Sequence, residues 1–358
     1  MAASDVFVHW PSLADIADAA AAGGTRVSVI QAAAREEHIV RNGIDYHFTP
    51  QGLGTSAATR ARGYATLLTR MRPDVLHVHS IAAAEDAYAI TRELPRLPVL
   101  LQDHADAVPR WWRRLRWRRW LGAAAAISFT APELADRFVR AGLIAPRTKR
   151  LAVPESSSRF MRGDQVAARR ELGLHGDPCV AWVGHLQTGK DPLTVLEGVA
   201  RTAERLPGLQ LWCAYGQAPL LAEVRERLTG DPRLAGRVHL MGKLDHAKVE
   251  TLLRGADLFV AGSHAESCGY ALLEALACGV APVVTDIPSF RRLTGDGRVG
   301  RLWRRGDPAA LADALLHVAA NLPSKQSVRD HFDAELSFTA LGRHWAHAYA
   351  QACMESAT

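Results

Sequence analysis

The chain has 358 residues, 48% of them apolar and 22% charged, an ordinary soluble composition long enough for two domains with sizeable cores. It excludes several classes: no apolar run approaches the ~20 residues of a bilayer span, and no low-complexity segment or internal repeat is evident. The five cysteines show neither a C-x-x-C pair nor a metal-ligand spacing and read as reduced thiols. The start Met-Ala-Ala-Ser-Asp lacks a basic region followed by an apolar run, so no signal peptide is expected.

In chain order, Asp5–His9 reads as a first strand, Trp10-Pro11-Ser12 as a turn, and a helix runs to about Ala22, closed by Gly23-Gly24. Arg26–Gln31 follows as a strand, which is β-α-β order. Ser56–Met71 reads as a helix and Asp74–His79 as a strand. His77 and His79, two apart, share a face, but no further ligands stand at a compatible metal spacing. The strand Pro98–Leu101 ends in Gln102-Asp103-His104-Ala105-Asp106. His104 is a candidate, and its plainer reading is a satisfied loop histidine; Asp103 and Asp106 are placed to orient it.

Val108–Leu121 interleaves four tryptophans with Arg110, Arg113, Arg114, Arg116, Arg118 and Arg119, six arginines equal to the whole net charge of +6. The basic balance thus describes one patch. Helical spacing puts Val108, Trp111, Trp112 and Leu115 on one face and Trp117, Trp120 and Leu121 on another. Two readings stand side by side: a segment that docks on anionic lipid or an anionic acceptor, and a solvated basic face whose tryptophans pack on their own domain. No recognition motif accompanies it, so nucleic acid is not expected. Ala123–Thr130 reads as a buried strand, Pro132–Ala141 as a helix, Arg150–Val153 as a strand and Pro154–Phe160 as a linker.

A second domain begins near Asp164. Its first strand, Cys179–Val183, runs into Gly184-His185-Leu186-Gln187-Thr188-Gly189-Lys190, after which Asp191-Pro192 caps a helix over Leu193–Glu204. The strand Leu209–Ala214 ends at Tyr215-Gly216, and Arg237–Met241 at Gly242. Ala256–Gly262 leads into Ser263-His-Ala-Glu266-Ser267-Cys268-Gly269-Tyr270, a short helix over Gly269–Cys278, Gly279 as a C-terminal stop, and the strand Val280–Thr285. Such a loop lies at the carboxyl edge of an open sheet, where ligands bind. The helix start offers free amides to a phosphate, and Gly269 permits close approach. Glu266 in the loop and Glu274 among apolar helix residues need donors, and sugar hydroxyls supply them. Pro308–Ala320 and Phe338–Ala352 read as the last helices.

Glu266 and Glu274, within the string Glu266-Ser267-Cys268-Gly269 to Val284, resemble the E-x7-E motif of the family 4 retaining glycosyltransferases. Ser267 and Cys268 depart from it, since glycine and an aromatic are usual there. The plainer reading is a core helix with one glutamate satisfied by a neighbouring arginine. The resemblance implies a GT-B fold: two doubly wound Rossmann-like domains facing a central cleft, residues 1–155 on the acceptor side, 156–337 on the donor side, and 338–358 a helix crossing back. It implies that Gly184, His185, Lys190, Gly216, Gly242, Glu266, Ser267, Cys268, Gly269, Tyr270 and Glu274 bind the donor, with His104, Lys190 and Glu266 catalytic. Lys190 matches the lysine that holds the diphosphate, whereas His185 stands where arginine is usual. The plainer readings are a surface lysine at a turn for Lys190 and ordinary turns for the glycines. The loop after strand one, His9–Ser12, and the linker 155–159 do not match the family and carry no role over.

The expected reaction is retaining transfer of a sugar from a nucleoside diphosphate sugar to a hydroxyl acceptor, carbohydrate or lipid-linked, without metal or cofactor. The expected place is cytoplasmic, with residues 108–121 as a peripheral membrane contact on the inner face. The rival readings are a non-catalytic protein of the same fold holding a membrane or polyanion, and a nucleotide-sugar epimerase, against which the E-x7-E string argues.

Overall fold

The computed structural model describes residues 6–7, 11–50, 55–145 and 148–355. The chain divides into two compact units, one of residues up to Ser157 together with Phe338 onward, the other Ser158–Ser337.

Among its described residues the first unit holds two sheets. β1 (Ser28–Ala33) lies parallel to β3 (Ile44–Pro50), and β2 (Glu37–Arg41) pairs antiparallel on the other side of β3. Alternation sends Ile44, Tyr46 and Phe48 into a core with Val6 and Ala17. The second sheet is parallel, in the order β4 (Leu76–His79), β5 (Val99–Gln102), β6 (Ala126–Phe129), β7 (Lys149–Ala152). This differs from the opening β-α-β expected. Val6 and Phe7 are helical, residues 1–5 and 8–10 (and so His9 and Trp10) lie outside the described residues, and Pro11 opens the helix Pro11–Ala21. β2 and β3 were not foreseen. Their polar outer residues, among them His38, Asp45 and His47, mask the apolar alternation of the inner face.

The helix Phe338–Glu355 belongs to this unit, with Trp345 fully buried among Ala19, Leu100, Ala126 and Val153. Gly23 and Gly342 let it approach the end of the helix Pro11–Ala21. A Cβ on Gly23 would lie 2.1 Å from the Gly342 carbonyl oxygen.

The second unit is one six-stranded parallel sheet, β10-β9-β8-β11-β12-β13, formed by β8 (Cys179–Val183), β9 (Gln210–Ala214), β10 (Val238–Gly242), β11 (Leu258–Ala261), β12 (Ala281–Thr285) and β13 (Arg301–Trp303). In sequence terms that is the doubly wound order 3-2-1-4-5-6. Both faces are covered, as a parallel sheet requires: Cys179 and Ala181 face one core, Val180 and Trp182 the other. The winding reverses between β8 and β11, so the loops after these two strands flank the crevice that such a sheet offers a ligand.

Candidate active site

Those two loops carry Lys190 and Glu266. The Lys190 ammonium contacts the Glu266 carboxylate, and Ser263 Oγ donates to Glu266 Oε1 at 2.6 Å. The loops are stitched together by their backbones and by a second polar pair. The His264 amide donates to the Gly189 carbonyl at 2.9 Å, and His264 Nε2 lies 2.9 Å from Asp191 Oδ2. Gly262 makes the approach possible, because a Cβ there would stand 2.9 Å from Val195 Cγ2 and 3.1 Å from the carbonyl oxygens of Lys190 and Asp191. Asp191 also caps the helix Pro192–Thr202 by accepting from the Thr194 amide. From below, Thr285 Oγ1 donates to the Ser263 carbonyl at 2.6 Å, and Ser289 Oγ to that of Glu266.

Gly269, at φ +72°, turns the chain into the helix Tyr270–Ala277. Of its first-turn amides that of Leu272 donates to the Gly269 carbonyl at 3.0 Å, and the turn carries the positive end of the helix dipole. Beside them the Ser267 hydroxyl oxygen is buried without a hydrogen-bond partner among the described residues. Tyr270 begins the helix with its side chain partly exposed. Cys268 is different: its side chain lies in the core with Leu272, Phe259 and Phe290. A donor contact of the Cys268 side chain, as expected, does not fit this burial, which leaves only its backbone for such a contact. Glu274 meets His246 Nε2 at 3.0 Å. The partner is thus a histidine at the start of the helix His246–Gly255, not an arginine, and its ring packs on Phe160 at 4.5 Å between centroids.

His185 and the two turn glycines form a neighbouring patch. The Gln217 amide donates to His185 Nδ1 at 3.0 Å, and the Tyr215 amide to the Gly242 carbonyl at 2.8 Å. His185 Nδ1 is thus used as an acceptor, a role that an arginine in its place could not fill. Gly216 is packed against that ring, since a Cβ would come 3.2 Å from His185 Cε1. Gly242 takes φ +70° at a register shift ending β10, and the Gly184 amide donates to the Ala214 carbonyl at 3.1 Å.

His104 belongs to the first unit, in the loop after β5. Its Nδ1 lies 2.7 Å from Oε2 of Glu155, a buried acid of the segment after β7, and its Nε2 lies 3.2 Å from His79 Nδ1. The expected orienting acids act otherwise. Asp106 accepts from the His104 amide at 3.1 Å, from Ser80 Oγ at 2.6 Å and from the Ile81 amide at 2.7 Å, so it shapes the loop. Asp103 is taken by Arg137, whose Nη2 donates to both oxygens at 2.8 and 2.9 Å. Burial works to lower the His104 pKa. The hydrogen bond and charge of Glu155, with the charges of Asp106 and Asp103, outweigh it and raise the value above the ordinary imidazole range. The His77 ring lies 4.3 Å from that of His79 between centroids, tilted by 32°, and bonds the Tyr349 hydroxyl at 3.0 Å.

The site residues that sequence reasoning missed are Glu155, Ser263, His246 and the Asp191–His264 pair. Ser263 stands three residues before Glu266 and was open to inspection. The others meet their partners only through the fold.

The Trp/Arg segment splits as follows. Trp111–Arg113 is a 3-10 turn and Arg114–Leu121 a helix. Leu121 is buried, and Trp117 and Trp120 pack on the core of the four-stranded sheet. Trp111, Trp112 and Leu115 are 75%, 57% and 84% exposed. No helix among the described residues is long and apolar enough to cross a membrane.

Residues 12–151 match the family described as Glycosyltransferase Family 4, and residues 177–321 the one described as Glycosyl transferases group 1. A D-inositol 3-phosphate glycosyltransferase of Nocardia farcinica is 30% identical over 205 residues, 56% of this chain and 44% of that protein. The matched part is thus less than half of the relative's own length. The fold is GT-B. Sucrose-phosphate synthase of Thermosynechococcus elongatus superposes with a TM-score of 0.70 at 18% identity, over 97% of this chain and 93% of that one. Anabaena HepE, solved in complex with UDP, superposes with a TM-score of 0.65 at 18% identity, over 81% of each chain.

Proposed function

We propose that this chain, which carries a family 4 glycosyltransferase domain followed by a group 1 glycosyl transferase domain, moves a sugar from a nucleoside diphosphate sugar to a hydroxyl acceptor with retention of configuration. The observation that carries the reading is the Lys190–Glu266–Ser263 cluster beside the Gly269 helix start, at the winding reversal of the second sheet. A diphosphate takes the Lys190 ammonium and the first-turn amides, which stabilise it as the leaving group. Ser267 Oγ, buried beside those amides, adds a donor. Glu266 accepts from donor-sugar hydroxyls, Glu274 from ribose hydroxyls, and His104 serves sugar and acceptor. The reaction calls on no metal and no resident cofactor. UDP in the HepE complex supports a uridine nucleotide as the first donor to test.

A thermal-shift panel of nucleotides and nucleotide sugars tests the site first, since a ligand bound only to the folded state raises the midpoint. A nucleotide sugar that stabilises the wild type should then be consumed with release of its nucleoside diphosphate. The anomeric proton coupling of the product should report retention. No shift with any nucleotide would remove the donor assignment. A shift without turnover would favour the non-catalytic binding protein.

The exposed Trp111, Trp112 and Leu115 amid six arginines favour a second element of the proposal: the enzyme docks peripherally on the inner, anionic face of a membrane, where a lipid-linked acceptor would lie. The Arg110 guanidinium lies over the Trp112 ring at 5.0 Å. Wild type should sediment with anionic vesicles at low salt and much less at high salt. Replacing Arg113, Arg114, Arg118 and Arg119 with Gln should abolish this. Wild type that ignores such vesicles rules the docking out.

A further inference from the structure

We infer that His38, Asp45 and His47 form a binding site for a divalent transition-metal ion, zinc by preference, on the outer face of the three-stranded sheet. The pairing of β2 with β3 sets His38 opposite His47 and Val40 opposite Asp45. Residues two apart on a strand share a face, so all three side chains stand on one surface. The register is held from the other side: Ile44, Tyr46 and Phe48 are buried, and a one-residue slip would expose all three. The surface is therefore presented by a core, not by a loop.

The geometry suits one ion. His38 Nε2 lies 2.8 Å from Asp45 Oδ1, and the His38 and His47 rings stack at 4.6 Å between centroids and 16° between planes. One ligand atom from each residue falls within 4.8 Å of the other two. A tetrahedral zinc with ligands at ~2.0–2.1 Å holds them ~3.4 Å apart, which small side-chain rotations reach from here. Two imidazoles and a carboxylate are the ligand set of zinc, cobalt, nickel and copper, whereas calcium and magnesium take oxygen ligands. The His38 and Asp45 side chains are 50% and 47% exposed, so a fourth position stays open to water. The ion would tie the edge strand β2 to β3. The three ligands lie on the three-stranded sheet, whereas His104 follows β5 of the four-stranded sheet and the other residues proposed for sugar transfer belong to the second unit.

Chelator-treated full-length protein titrated calorimetrically with zinc chloride should bind one equivalent, and millimolar magnesium should not displace it. Cobalt(II) in place of zinc should give the visible absorption of a low-coordinate site. Zinc should also raise the melting temperature, because the unfolded chain does not hold the three ligands together. His38→Gln, Asp45→Asn and His47→Gln are changes on the outer face and should leave the far-ultraviolet spectrum unchanged. Each histidine change leaves only two protein ligands and should abolish saturable zinc binding and remove the melting shift. Should the double variant His38→Gln/His47→Gln not fold, the single variants read the same loss. Wild type with no saturable zinc binding, or variants that bind zinc as the wild type does through other histidines, would overturn the site.

Discussion

Lys190 and Glu266 were expected to hold different parts of a donor, and the fold sets them against each other. Under the proposed function a diphosphate would share or take the ammonium and so free the carboxylate for sugar hydroxyls. Glu266→Gln should keep nucleotide affinity close to wild type and cut turnover by roughly 10²-fold or more, on the scale of losing a transition-state contact. Glu274→Gln should instead weaken nucleotide binding and keep the fold. Steady-state kinetics with calorimetry separates the two, and wild-type turnover in both variants would sink the assignment. His104 offers a pH test. Its raised pKa comes chiefly from Glu155, against the opposing effect of burial. The stabilisation from the charged ring is full below the unfolded value of ~6.5 and is lost as pH rises through the higher folded value. Glu155→Gln should shift the His104 ring titration in NMR to lower pH and flatten that part of the stability profile. An unchanged titration would mean that Glu155 does not set the charge of His104.

At the scale of elements, the helix Tyr270–Ala277 depends on the turn before it. Gly269 has φ +72°, and a Cβ there would sit 3.1 Å from Phe290 and 3.2 Å from Leu293. Gly269→Ala should cost about 1–2 kcal/mol for the left-handed backbone alone, read as a lower denaturation midpoint, and should tilt the amides proposed to receive phosphate. A variant as stable as wild type would show that the turn relaxes freely. The segment before Leu121 shows how periodicity can group residues correctly and still leave their surroundings open. Spacing separated Trp111, Trp112 and Leu115 from Trp117 and Trp120, but only packing shows which group the core takes. The strands β2 and β3 escaped reading for a related reason. Their outward positions include His38, Asp45 and His47, so the inward Ile44, Tyr46 and Phe48 do not stand out as a strand without a partner.

At the scale of the whole molecule, the second sheet is wound so that two loops 76 residues apart in sequence, those of Lys190 and Glu266, meet. The first unit is completed by the other end of the chain. Trp345 fills its core, and Gly342 meets Gly23 backbone to backbone. Trp345→Ala should destabilise by about 3–5 kcal/mol, measured by chemical denaturation. Gly342→Ala should be disruptive although it adds a single methyl group, because backbone atoms occupy the space. If Trp345→Ala costs less than about 1 kcal/mol, the terminal helix does not contribute to that core.

The sequence by itself determined the local signals. These are the first five strands of the second unit, though not β13, the helix capped by Asp191, the glycine that turns into the helix Tyr270–Ala277, the acids at Glu266 and Glu274, and the concentration of positive charge in one segment. Each follows from residues a few positions apart, whose spacing meets a fixed helical or strand period. The tertiary structure alone decided the partners: Glu155 for His104, His246 for Glu274, the core for the Cys268 side chain, and His38 with Asp45 and His47 on one surface. Such pairings depend on strand order and register, which are set by the summed burial of many apolar residues. No short stretch of sequence carries that sum.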